Sequence, residues 1–245
     1  SLVGSEMCIR VSIYNPVLTL GKTHIVTNGD QTDTICQHGD FRKGLMTRDL
    51  TTNAMVIASA GADARMAGAP VSVVANSGSG NQGITCSVPL IEYAKELHSG
   101  KEKLYRALII SNLVAIHEKT GIGTLSAYCG AVSAGAGAGA GIVYLCGDGY
   151  QAAIHTVVNA LAIVSGIVCD GAKADCALKI STCVNAACQA AAMGTRGVRV
   201  QSTDGIVEHN VEYTLDNFAT LSTHGTSDSV ILDLMLNKEH TPDAE

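Results

Sequence analysis

The stretch Val168-Cys169-Asp170-Gly171-Ala172-Lys173-Ala174-Asp175-Cys176-Ala177-Leu178-Lys179 holds two thiols, two carboxylates and two amines, directly after the apolar run Ala160 to Val168. Thiols are soft metal ligands and nucleophiles, while carboxylates and amines serve as acids, bases and charge partners. Such groups crowded beside a buried apolar segment mark a candidate reactive site. The plainer reading is a helix start, with Asp170 as its cap and the cysteines as small core residues.

Spacing separates the thiols. In one continuous helix Cys169, Cys176 and Cys183 recur every seven residues and share a face. Their Cα atoms then stand about 10.5 Å apart along the axis, at ~1.5 Å rise per residue. Zinc, with bonds of about 2.3 Å to sulfur, does not join two such positions. A larger iron–sulfur cluster, or a chain break at Gly171, eases the distance. Cys129, in Ala127-Tyr128-Cys129-Gly130, lies 169 − 129 = 40 residues before Cys169, so only the fold can bring the two together. The nine cysteines include no Cys-x-x-Cys pair, which argues against a structural zinc finger and leaves a cluster held by dispersed cysteines open.

A second feature is Asn76-Ser77-Gly78-Ser79-Gly80-Asn81-Gln82-Gly83, ahead of the helix-like Ile84 to Leu97. A glycine-rich loop entering a helix leaves backbone N–H groups free for an anion such as a carboxylate. Ser77, Gly78, Ser79, Gly80, Asn81 and Gln82 are therefore the candidate substrate-binding residues. No Gly-Lys-Ser/Thr follows, so this is not the phosphate-loop pattern. A flexible linker is the alternative, but Asn76, Asn81 and Gln82 between apolar runs favour binding. Lys173 falls about one helical turn from Cys169 and Cys176, where it could pair with a substrate carboxylate or act as a base if desolvated. A surface lysine at a helix start is the competing view. His155, His209 and His224 are further base candidates, though each reads more readily as an ordinary partly buried or surface histidine, and no base is assigned.

These residues need elements to position them. Hydrophobic residues make up 47% of the 245, yet aromatics only 4%, so Ala and Gly must build the core by close backbone approach. Helices packed through small faces fit this best. A net charge of −6 without a basic cluster argues against nucleic-acid binding. The cysteines lack the setting of a disulfide scaffold, and neither a signal peptide nor an uninterrupted apolar run of about 18 residues is visible. No membrane association and a cytoplasmic location are expected.

The expected fold is mainly α (α+β overall), a bundle of small-residue-packed helices with a short N-terminal β segment. Residues 1–50 read as a partial β-containing segment and 51–245 as a helical catalytic domain. Arg10 to Ile13 and Thr23 to Thr27 read as strands, Asn28-Gly29-Asp30 as a turn, and Thr32 to Leu50 as irregular. Helices are expected over Thr51 to Ala67 (capped by Asn53 or a neighbouring Thr), Ile84 to Leu97, Lys101 to Lys119, Tyr150 to Val168, Leu178 to Met193, Gly205 to Leu221 and Ser229 to Lys238. Ser227 or Asp228 caps the last. Ala131 to Gly141, nearly all Ala and Gly, reads as a buried helix rather than a silk-like strand.

Taken in order, Asp63-Ala64-Arg65-Met66, Ser77 to Gly83, Leu125-Ser126-Ala127-Tyr128-Cys129-Gly130, Cys169 to Lys179 and Gly205-Ile206-Val207 resemble the L-cysteine desulfidase family, related to the alpha chain of iron–sulfur L-serine dehydratases. The resemblance covers about Asn53 to Lys238. It implies a cytosolic lyase with an oxygen-sensitive 4Fe-4S cluster, held by three cysteines and open to substrate at the fourth iron. Cys129 and Cys169 match two ligand positions. The third lies in a Gly-Cys-Thr-Glu-Pro segment that this sequence does not contain; Cys8 does not match it, and Cys176 stands as a substitute. The implied reaction is β-elimination from L-cysteine to pyruvate, ammonia and sulfide, with L-serine dehydration or a cluster-free amino-acid-binding relative as alternatives. Implied partners are a small amino-acid substrate and either a second copy of the chain or a missing N-terminal portion.

Overall fold

Asp49 sets the start of the helical body. Its carboxylate accepts the Thr52 amide at 2.9 Å and the Thr52 hydroxyl at 2.6 Å, so the cap is Asp49 and not Asn53 or a threonine. The computed structural model describes residues 17–20, 23–26, 49–70, 72–123, 126–169 and 171–224. The expected strand at Arg10 to Ile13, the Asn28-Gly29-Asp30 turn, the irregular stretch up to residue 48, Cys8, the Asp170 cap and the Ser229 to Lys238 helix with its caps lie outside these residues. Strands β1 (Val17–Leu20) and β2 (Thr23–Val26) pair antiparallel, with Val17 opposite Val26. Seven helices follow among the described residues: α1 Leu50–Met66, α2 Gly80–Glu96, α3 Lys101–Ile122, α4 Ala131–Cys146, α5 Tyr150–Val164, α6 Cys176–Gly194 and α7 Val211–His224. The protein is mainly α.

Helix α4 is the axis of the bundle, and its composition explains why. All but its Tyr144 and Cys146 are buried. The alternating glycines each face a different neighbour. A Cβ on Gly135 would stand 2.9 Å from the Cys183 carbonyl oxygen of α6, and one on Gly139 2.8 Å from Thr156 of α5. On Gly137 it would press into the Ser111 carbonyl of α3, and on Gly141 it would reach 2.5 Å from Leu90 of α2. The four glycines together cost the helix about 4 kcal/mol in propensity relative to alanine. Dispersion contacts between closely approaching backbones offset that cost, in a core with few large side chains.

The same contacts give the direction of each helix. Gln82, Cys86 and Leu90 of α2 meet Gly130, Ala134 and Gly141 in that order, so α2 and α4 run parallel. Gly135 and Gly139 meet Cys183 and Ala187, so α6 is parallel to them as well. Helix α3 runs the other way, Ala107 lying at Gly141 and Ser111 at Gly137. So does α5, whose Ala152 and Thr156 meet Gly194 and Ala190 of α6. Helix α1 is antiparallel to α2, through Gly61 at Ile84 and Arg65 at Asn81. One end of the bundle therefore gathers the N-termini of α2, α4 and α6 with the C-termini of α1, α3 and α5. Away from that end, α3 leaves Tyr105, Ile109, Leu113 and Ile116 exposed along one outer face.

Three expected boundaries move. Helix α2 begins at Gly80, so half of the glycine-rich segment is already helical. The Tyr150 helix stops at Val164 instead of Val168, because the chain turns at Gly166 and the extended backbone from Ile167 on pairs with the Tyr128 segment. The Gly205 helix begins only at Val211; Gly205 has φ +56° and belongs to a turn.

Candidate functional site

Sequence alone placed Cys129 and Cys169 far apart, and a short piece of extended backbone joins them. Tyr128 and Val168 form an isolated antiparallel bridge, with the Cys129 amide donating to the Ile167 carbonyl at 2.9 Å and the Cys169 amide to the Ala127 carbonyl at 2.7 Å. Strand pleating sends alternate side chains to opposite faces, so Cys129 and Cys169 share the face away from Tyr128 and stand as diagonal neighbours. Diagonal positions lie about 7–8 Å apart. No group of three or more His, Cys, Asp or Glu side chains that could hold a metal ion is found among the described residues. Thiols are nonetheless the donor type that iron–sulfur clusters take. In that sense the residues present fit such a group.

The third thiol joins them because the chain breaks where expected. Gly171 has φ +103°, in the left-handed region, and α6 starts at Cys176 itself. Cys169 and Cys176 are therefore not seven residues apart on one helix, and the 10.5 Å helical separation does not apply. Cys176 Sγ lies 3.6 Å from the Gly171 carbonyl oxygen. Cys183, one step further along the seven-residue spacing, is sealed in the core against Gly135.

Cys129 is half-buried and Cys169 exposed. Burial raises the Cys129 thiol above its ordinary range; the Ala131 amide at the start of α4 opposes this, Cys169 and Cys176 add to it, and Lys179 opposes it. Those influences locate all three thiols and Lys179 in one neighbourhood. Lys179 itself pairs with Asp175 at 3.1 Å. Lys173 sits exposed in the turn before α6.

The glycine-rich segment adjoins the same end. Asn76 and Ser79 exchange backbone hydrogen bonds at 3.1 and 3.0 Å around Ser77 (φ +48°) and Gly78 (φ +84°), the type I′ hairpin turn. Most of its polar side chains are committed to structure. Asn76 donates to the Asn112 side chain at 2.8 Å, Ser77 donates to Asn76, and Asn81 accepts from Arg65 at 3.1 Å. Gln82 differs: its carboxamide fills the space a side chain at Gly130 would take, next to Cys129. The Gln82 Oε1 is buried and has no hydrogen-bond partner among the described residues. Ser79 gives α2 no side-chain cap, and the first-turn amides of Gly80, Asn81 and Gln82 are left without intrahelical acceptors.

Two residues went unnoticed in the sequence. Lys119, in the last turn of α3, is only 4% exposed, and its Nζ donates to Ser126 Oγ at 3.3 Å. Burial lowers the Lys119 ammonium below the usual lysine range, while the Cys129 and Cys169 sulfurs hold it up. Glu118 beside it turns inward, toward Ser133 of α4. Burial pushes its carboxyl well above the ordinary range, with the nearby Ser133 hydroxyl, not in hydrogen-bonding geometry, only partly opposing this; among the described residues neither oxygen has a hydrogen-bond partner. The only sequence signal was position: both precede the Gly121 and Gly123 that end the helix. The histidines lie among other partners. His209 bonds Ser202 at 3.1 Å, and His224 ends α7 against Thr220 and Thr223. Burial and then Arg199 lower the His155 ring.

The helical bundle, packed through small residues, thus collects thiols, lysines and an uncapped helix N-terminus at one end. The chain belongs to the serine dehydratase alpha chain family, whose model matches residues 9–231. It is 53% identical over 192 residues to a UPF0597 protein of Desulfitobacterium hafniense (strain Y51), an alignment covering 78% of this chain and 45% of that protein. A UPF0597 protein of Lachnoclostridium phytofermentans is 52% identical over 191 residues, covering 77% and 46%. One of Phocaeicola vulgatus is 38% identical over 213 residues, covering 86% and 49%. The chain spans about half the length of the curated relatives it matches. No solved structure matches it significantly. Among the described residues no helix is long and apolar enough to cross a membrane.

Proposed function

We propose that the protein is a lyase that eliminates the β-substituent of L-cysteine, giving pyruvate, ammonia and sulfide with the uptake of one water. The observation that supports this best is the delivery of Cys129 and Cys169 to one face by the Tyr128–Val168 bridge, with Cys176 heading the neighbouring helix. In this reading Cys129, Cys169 and Cys176 would hold a 4Fe-4S cluster. When bound, it supplies a Lewis-acidic iron that makes the thiol or hydroxyl a better leaving group. The chain's own residues bind and orient. Gln82 Oε1, a buried acceptor without a hydrogen-bond partner among the described residues, suits the substrate ammonium. Cytosolic placement belongs to the same reading.

The family match supports L-serine as the second substrate, since serine presents the same α-amino acid with a hydroxyl in place of the thiol. Anaerobic reconstitution with iron and sulfide, followed by assays of sulfide from cysteine and pyruvate from serine, tests both. Iron uptake lost in Cys129→Ala and Cys169→Ala, with sulfide released only by the parent, is the expected result. Pyruvate from serine without sulfide from cysteine moves the assignment to serine. No iron uptake, even with the family's Gly-Cys-Thr-Glu-Pro-containing portion added, sinks the proposal.

A further inference from the structure

We propose that Lys119 is the cation that receives the α-carboxylate of the amino-acid substrate, an inference that rests on the lyase reading. An ammonium is seldom this deeply buried without a charge partner. No carboxylate pairs with Lys119 among the described residues; its neighbours include the thiols of Cys129 and Cys169. It is also aimed. Ser126 donates its hydroxyl proton to the Tyr128 carbonyl at 2.8 Å, so the serine oxygen turns its lone pairs to Lys119, which donates to it at 3.3 Å. The amine is thus held at the edge of the strand that carries Cys129.

Burying a lone ammonium costs several kcal/mol, a cost that an incoming anion relieves. The chemistry of the substrate decides which anion. Its thiol or hydroxyl is drawn to the cysteine face, and its carboxylate is attached only one carbon beyond the β-carbon, within reach of a cation beside Cys129 and Cys169. The α-ammonium is repelled by Lys119 and finds its acceptor in Gln82, against Gly130. Other lysines suit the carboxylate less well: Lys179 already pairs with Asp175, and Lys173 is exposed, where water and salt weaken the attraction. The zwitterion is therefore read across Cys129, its two charges answered by residues of α3 and α2.

The test compares binding of L-cysteine with that of its methyl ester, which keeps the amine and thiol but lacks the carboxylate charge. L-serine and its ester serve as a parallel pair. Binding is measured by calorimetry on the anaerobically reconstituted protein, with iron content determined for each variant. Losing one partner of a buried charge pair costs about 2–5 kcal/mol, so the parent should prefer the free acid at least about 30-fold. Lys119→Gln should bring the two ligands to within about threefold with iron content unchanged, and Lys119→Arg should keep most of the preference. A full preference for the acid in Lys119→Gln overturns the assignment while leaving the lyase reading intact. Loss of iron in that variant also overturns it, since the lysine would then serve the cluster. A parent that binds neither ligand overturns both. Should Lys119→Gln fail to fold, Ser126→Ala removes only the group that aims the amine; its ratio should fall severalfold, and an unchanged ratio rejects the proposal.

Discussion

Replacing Gly137 with alanine is the sharpest test of how the bundle is built. In an open helix the change stabilises by about 1 kcal/mol, because alanine has the higher propensity. Here a Cβ would press into the Ser111 carbonyl oxygen and stand 3.2 Å from its carbonyl carbon and 3.3 Å from Ala115 Cβ. These are mostly backbone atoms of α3, so α3 itself must move, and overpacking of this kind costs up to about 3 kcal/mol. The net expectation is a loss of about 2 kcal/mol. Gly61→Ala in α1 is the matched control, since its Cβ would meet only Ile84 side-chain atoms at 3.6 and 3.8 Å. That variant should gain about 0.5–1 kcal/mol. Urea unfolding followed by helical circular dichroism separates the two, with the midpoint moving at unchanged slope. A Gly137→Ala protein as stable as the parent would refute close helix approach at α4.

Other expectations follow from the same packing. Asn159 is fully buried, donating to the Val198 carbonyl and accepting the Val200 amide, both at 2.9 Å, so Asn159→Ala should cost about 2–4 kcal/mol in urea unfolding. Burial raises the Asp63 carboxyl from 3.8 to about 6. Folding therefore favours its neutral form; that contribution is complete below about pH 3.8 and is lost as pH rises through about 6. At most about 3 kcal/mol is at stake, and Asp63→Asn should flatten the profile across that window. Glu118→Gln should remove a further decline of stability at higher pH, because its carboxyl is raised in the same direction. Cys183→Ala should leave iron uptake intact, as this thiol is core packing against Gly135; lost uptake would place it among the ligands.

Much of this was readable from residue types, because small residues leave so few options. Ala131 to Gly141 cannot form a core except by letting neighbours approach, and it does so as a helix. Gly171 was legible as a break because a continuous helix kept the thiols too far apart. The Tyr128–Val168 bridge was hidden, since Ile167 and Val168 extend the apolar pattern of α5 and only Gly166 marks the change. The asparagines of the glycine-rich segment looked free for a ligand, yet Asn112 and Arg65 occupy them from distant helices. Local composition carries no trace of such partners. Lys119 was missed for the opposite reason: a lysine in the last turn of a helix looks like ordinary solvated charge.

The two main thiols stand on supports of different stiffness. Cys129 is fixed to the head of α4, which has no slack on any side, and a push there is transmitted to α2, α3 and α6 together. Cys169 belongs to a strip between Gly166 and Gly171, and neither glycine has a neighbour within 4 Å of where a side chain would be. The two thiols thus stand in unequal surroundings, a tightly packed helix head on one side and a backbone with open space at Gly166 and Gly171 on the other.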